Sequence, residues 1–127
     1  MSKELFLKQN MKPDETHAGL ILGKDGQLDH HLFLLPAKPE KNMNWNDAMQ
    51  WARSVGGNLP TRNEQSLLFA NCKEEFKPNW YWSNEQYAYG PDYAWMQYFN
   101  SGDQNDGRKW DEYSARAVRR IYIEELK

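Results

Sequence analysis

The 127-residue chain holds a single cysteine, Cys72. An intrachain disulfide is therefore excluded, as is a zinc centre built from several cysteines, and the fold does not depend on an oxidising compartment. Long apolar runs are missing too. Stretches such as Leu32 to Leu35 stop at four residues, far from the roughly 20 that a membrane-spanning helix needs, so no membrane insertion is expected. No sign of charge dominates: Lys+Arg 16 against Asp+Glu 18 leaves a formal charge of -2. That balance argues against a partner rich in phosphate, so nucleic acid is not expected. Met1 to Lys12 shows no small-residue cleavage site behind an apolar stretch, and no signal peptide is expected, which points to a cytoplasmic or virion-associated protein. There are three histidines, and no G-x-S-x-G, phosphate-cradling glycine loop or H-E-x-x-H.

What the chain has in quantity is aromatic rings. A mean hydropathy of -0.99 would suggest disorder, but six Trp, seven Tyr and five Phe each bring on the order of 150–250 Å² to a core. A chain of this length forms one domain and buries roughly two thirds of its unfolded surface. Residues 1–17 are polar and read as an N-terminal arm, with the domain over 18–127.

Ala18 to Leu22 and His31 to Leu35 are short apolar runs flanking Asp25-Gly26, the signature of a β-hairpin. From Asn44 the period becomes helical: Trp45, Ala48, Met49, Ala52 and Val55 form one stripe, with Asn44 as N-cap and Gly56-Gly57 as terminator. Thr61-Arg62-Asn63-Glu64 is a capping box opening a second helix through Leu67, Leu68, Cys72 and Phe76, stopped by Pro78. Three strands follow, at Trp80 to Ser83, Tyr93 to Phe99 and Ala115 to Ile123, with turns at Asn100-Ser101-Gly102 and Asn105-Asp106-Gly107. The expected class is α+β, with two helices packed on small antiparallel sheets that carry long loops.

No catalytic or metal-binding set stands out. His30 and His31 are neighbours on a strand and point to opposite faces, which separates them as ligands. Cys72 falls on the apolar side of a helix, the setting of an inert thiol. The acidic run from Asp103 fails as a calcium loop, because its sixth position is Arg108 and its twelfth is Ser114. No cofactor is expected. The anomaly lies between Trp80 and Tyr113, which hold eleven of the eighteen aromatics among Ser, Asn, Gln and Gly. Rigid amphipathic rings with adaptable polar neighbours compose a recognition surface, though they also suit a Trp- and Tyr-rich core. Six acids and two bases in the same stretch favour a sugar or a basic protein surface over nucleic acid.

Trp45 to Arg53, Gly56-Gly57-Asn58-Leu59-Pro60-Thr61-Arg62-Asn63-Glu64, Tyr81-Trp82-Ser83, Ala94-Trp95 and Ala115-Arg116-Ala117-Val118-Arg119-Arg120, taken as a set, resemble the domain of unknown function in the C-terminal region of the Lcl adhesin and in many bacterial and phage proteins. The resemblance spans about Trp45 to Ile121. It implies a C-type-lectin-like fold in which the N- and C-terminal strands pair and loops between later strands carry the ligand. The calcium-dependent sugar motifs of true lectins are absent, Gly90-Pro91-Asp92 being only a partial echo, and Cys72 alone cannot supply the cysteine pair of the related formylglycine-generating enzymes. The implied function is a non-catalytic ligand-binding module for a host protein or cell-surface receptor. The alternatives are a carbohydrate-binding lectin-like domain and a phage inhibitor of a host defence protein. The candidate contact residues come from two loops, Asn84 to Tyr93 and Asn100 to Tyr113, and from Trp95 between them: Tyr87, Tyr89, Asp92, Tyr93, Trp95, Asn100, Asp103, Asn105, Asp106, Arg108 and Trp110. Exposed rings of this kind also suit a homo-oligomer interface. The arginines at 116, 119 and 120 are expected to be structural, tied to buried carboxylates or carbonyls near Glu64, because an unpaired buried charge costs several kcal/mol.

Overall fold

The computed structural model describes residues 2–124. The class is α+β, with two three-stranded antiparallel sheets of order β1-β2-β6 and β3-β4-β5. The elements run α1 (Lys3–Asn10), β1 (Thr16–Ile21), β2 (His30–Leu34), α2 (Trp45–Ser54), α3 (Arg62–Cys72), β3 (Trp80–Gln86), β4 (Tyr93–Tyr98), β5 (Gln104–Arg108) and β6 (Val118–Tyr122). Among the described residues no helix is long and apolar enough to cross a membrane.

The local signals for the hairpin and for α2 and α3 act as expected. Asp25 and Gly26 both take positive φ, 53° and 83°, and the Gln27 amide bonds to the Lys24 carbonyl, so the tight turn forms at the tip of a longer connection. The Asn44 side chain accepts from the Asp47 amide to open α2. Gly56, at φ 90°, closes it: the Gly57 amide reaches the Ala52 carbonyl and the Gly56 amide that of Arg53, the paired bonds of a left-handed cap. Both halves of the capping box at Thr61 and Glu64 are present.

Two cores result. Trp82, Ala94 and Met96 of the second sheet pack with Ala48 and Ala52 of α2 and with Leu35, Leu59 and Ala117. Ala18, Leu32, Leu34 and Val118 of the first sheet pack with Leu68 and Cys72 of α3, with Tyr81 of the second sheet and with Phe99 just after β4. Helix α3 thus lies against both sheets. Each large side chain so buried contributes about 1.5–3 kcal/mol.

Five expectations need correction. Residues 1–17 are more than an arm: Ser2 caps α1, and Thr16 and His17 belong to β1. That helix buries no residue fully and so leaves little apolar pattern to read. Helix α3 ends at Cys72 and passes into a 3-10 turn at Lys73–Glu75, which leaves Phe76 extended to stack on Phe99 at 3.9 Å. Asn105, Asp106 and Gly107 form strand rather than turn, because Gly107 pairs with Ala94 at a place where a Cβ would fall 2.8 Å from Met96 Sδ. The last strand begins at Val118, not Ala115: Ser114 bridges Tyr81 in the second sheet and Val118 bridges Asn58, so Ala115–Ala117 is the crossing between sheets. The N- and C-terminal strands β1 and β6 do not pair with each other; both pair with β2.

Candidate functional site

Strand alternation on β4 and β5 decides which candidate residues meet. Tyr93 lies opposite Arg108 and Trp95 opposite Asp106, so these four share a face of the second sheet, at its end nearest the N-terminus of α3. The Arg62 guanidinium sits 3.5 Å from the centre of the Trp95 ring, a cation–π contact that grows stronger where water is excluded. Arg62 is itself held. Its Nε donates to Gln104 Oε1 at 3.0 Å, its amide donates to Glu85 Oε2 at 2.7 Å, and its carbonyl accepts from Gln104 Nε2 at 2.8 Å. Gln104 Nε2 also reaches Gln97 Oε1 at 3.0 Å, and buried Gln97 donates to the Gln65 carbonyl at 2.7 Å.

Rings extend this arrangement outward. Tyr87 meets Trp95 at 5.1 Å between centroids, and Tyr89 meets Tyr87 edge-on at 5.8 Å. Both distances suit tilted and edge-to-face aromatic pairs. Tyr89 is 90% exposed. The connection is short and closed on itself, with the Tyr87 amide donating to the Tyr93 carbonyl and the Tyr93 amide to that of Gly90. Asp92 is exposed, and its carbonyl accepts from the Lys109 amide. Lys109 Nζ reaches Gln86 Oε1 at 2.6 Å and lies 4.5 Å from the Trp45 ring, which pins the strap carrying Trp110. That ring is 59% exposed.

The remaining candidates lie elsewhere. Asn100 and Asp103 occupy the β4–β5 turn, where Ser101 Oγ donates to Asp103 Oδ2. Both lie beyond the Tyr98 end of β4, the end away from Tyr93. Asn105 lies opposite Met96 and so faces the other side of the sheet. Sequence reasoning omitted Glu85 and Gln104 and placed Arg62 only within the capping box. A guanidinium two residues before the N3 acid of a capping box is a sequence signal, whereas Gln104 carries none.

A second polar cluster lies at the junction of the sheets. The fully buried Glu64 carboxylate accepts twice from Arg120, both at 2.7 Å, and once each from the Thr61 amide at 2.8 Å and His30 Nε2 at 2.7 Å. Burial alone would raise the Glu64 pKa, but Arg120, the Thr61 amide and His30 outweigh it and hold the carboxyl below its ordinary value. A carboxylate with four donors is a structural anchor, poorly suited to moving protons. Arg119 makes a parallel pair with buried Glu15, at 2.9 and 2.6 Å. His30 and His31 do point apart, His31 Nδ1 lying 3.1 Å from His17 Nε2. Burial, then Glu74 and Glu75, push the Cys72 thiol up to about 11, so it stays protonated at neutral pH. Among the described residues no three of His, Cys, Asp and Glu gather as metal ligands. The ring-bearing face presents surfaces for stacking and groups for hydrogen bonding. A scan against models of protein families and a search of curated proteins both find no match to this chain.

Proposed function

We propose that the chain is a non-catalytic binding module of the C-type-lectin-like fold, similar to the Lcl C-terminal-like domain, that recognises a host protein or surface receptor. Its contact face is Tyr87, Tyr89, Tyr93, Trp95, Asp106 and Arg108, with Trp110 alongside. The observation that carries the reading is the ladder Arg62–Trp95–Tyr87–Tyr89, fixed at the strand end by Glu85 and Gln104 and open to water at Tyr89. Rings held in place before a partner arrives lose little entropy on binding, and exposed Tyr and Trp are the residues in which interface energy concentrates. Arg108 and Asp106 offer both signs of charge beside the rings, the composition of a protein-recognising rim.

A carbohydrate ligand is the second reading, favoured by the exposed Trp110 plane next to Asp111. Binding of wild type and of a Tyr89→Ala/Trp110→Ala variant to solubilised outer-membrane proteins, cytoplasmic extract and purified envelope glycans, with and without chelator, separates the two. The expected result is a retained protein whose affinity falls about 30-fold in the variant, the equivalent of about 2 kcal/mol for hot-spot rings, with no effect of chelator. Retention of glycan alone would establish the second reading. Equal retention by wild type and variant would refute both.

A further inference from the structure

Three arginines punctuate the C-terminal segment, and two of them meet a carboxylate with two hydrogen bonds each: Arg119 with Glu15, and Arg120 with Glu64. Arg116 differs. It is only 5% exposed, yet among the described residues it has no ion-pair partner. Its terminal nitrogens donate to the main-chain carbonyls of Glu75, at 2.6 Å, and Leu35, at 2.9 Å, and its Nε has no partner among the described residues. Glu75 thus meets it through the backbone and not through its carboxylate. Burial pulls the Arg116 pKa down, but a guanidinium does not give up its proton in a protein. The charge therefore persists in surroundings that solvate it poorly, a state that favours a counter-ion.

The side chain borders a cavity of about 270 Å³ between residues 38–42, 74–79 and 114–116. That is near the lower limit of ligand pockets, about 300 Å³. Lys38, Lys41 and Lys77 stand in its lining. The Tyr81 hydroxyl, also in the lining, accepts from the Lys77 amide at 3.1 Å and keeps its own proton to donate. Four cations against Glu40, Glu74 and Glu75 leave the lining net positive, in a chain whose overall charge is negative.

We propose that this cavity binds the oxyanion group of a small molecule, a carboxylate or a phosphate, as the counter-ion that Arg116 lacks. The site lies apart from the aromatic face and stands whether or not that face binds a partner. The test is titration of the purified chain with citrate, inorganic phosphate and chloride at constant ionic strength, read by the melting temperature and by the arginine Nε–H resonances. Citrate or phosphate is expected to raise the midpoint saturably and to shift one buried Nε–H, with chloride inert; which of the two binds more tightly tells carboxylate from phosphate. Because Arg116→Ala also removes two bonds that tie segments together, the deciding variant is Lys38→Glu/Lys77→Glu. Both lysines are exposed, so the unliganded midpoint should hold while affinity falls at least about tenfold. Absence of saturable binding by either anion overturns the proposal, as does undiminished binding in the lysine variant.

Discussion

Glu64→Ala removes the carboxylate on which four donors converge. Two belong to Arg120, whose side chain is only 15% exposed, and one is the amide of Thr61, the N-cap of α3. Alanine leaves that guanidinium without its carboxylate and that amide without its side-chain partner. Breaking a buried pair from one side costs about 3–5 kcal/mol. An unfolding entropy of about 2.1 cal/mol/K per residue amounts to about 0.27 kcal/mol/K for the chain, so a loss of about 4 kcal/mol lowers the midpoint by about 15 °C. Circular dichroism melts and urea titration measure it. A Glu64→Met/Arg120→Met variant carries no charge at the junction, and an apolar pair of similar volume often equals a buried ion pair. That variant should therefore be more stable than Glu64→Ala. Because the folded carboxyl lies below its ordinary 4.5, the Glu64 contribution is complete above about that pH and is lost as pH falls through the folded value. A loss under about 1 kcal/mol for Glu64→Ala, or strictly additive effects of the two single methionine substitutions, would refute the view that this carboxylate organises the junction.

Burial, helped by His31 and Lys3 at His17 and by His30 at His31, holds both histidines below 6.5. The folded protein thus resists protonation there. Its stability should be complete above about pH 6.5 and fall below it, and His31→Phe, which preserves the stack on Phe6 at 4.0 Å, should flatten part of that fall; an unchanged pH profile would count against it. At Gly57 an added Cβ would lie 2.5 Å from the Val118 carbonyl oxygen, while at Gly56 it would meet nothing within 4 Å. Gly57→Ala should cost about 1–3 kcal/mol and exceed the roughly 1–2 kcal/mol of left-handed strain expected for Gly56→Ala; the reverse order in denaturant melts would show that the β6 backbone yields. Cys72 should resist alkylation by iodoacetamide at neutral pH until denaturant is added, and modification of the native protein would contradict its burial and raised pKa.

The elements that could be read from sequence are those whose cause is local. Asn44, the Gly56-Gly57 pair and the Thr61–Glu64 box each act within a few residues, and each forms as its chemistry dictates. The elements that could not be read depend on partners distant in the chain. Asn105-Asp106-Gly107 has the composition of a turn, yet it becomes strand because β4 lies beside it and Met96 fills the space that a side chain at 107 would need. Helix α1 is invisible for the same reason: its anchoring ring, Phe6, finds His31 and Phe33 only once the first sheet exists. The aromatic excess was legible as a surplus, but its division was not. Tyr81, Trp82 and Phe99 are buried while Tyr89 and Trp110 are exposed, because Tyr81 and Phe99 share the core with α3, and Trp82 shares the core with α2.

That division has a consequence for how binding and stability separate. The buried carboxylates and their arginines join β6 to α3, through Glu64 and Arg120, and to the segment before β1, through Glu15 and Arg119. The exposed rings Tyr89 and Trp110 stand on the β3–β4 connection and on the strap after β5, and Tyr89 reaches Arg62 only through Tyr87 and Trp95. A substitution at Tyr89 therefore removes little buried area, whereas one at Trp95 also releases Arg62, and with it the hold of Gln104 on the first turn of α3. Tyr89→Ala should thus weaken ligand binding at an unchanged melting temperature, and Trp95→Ala should weaken both. Equal melting losses from the two would mean that the ladder is a piece of core that happens to reach the surface.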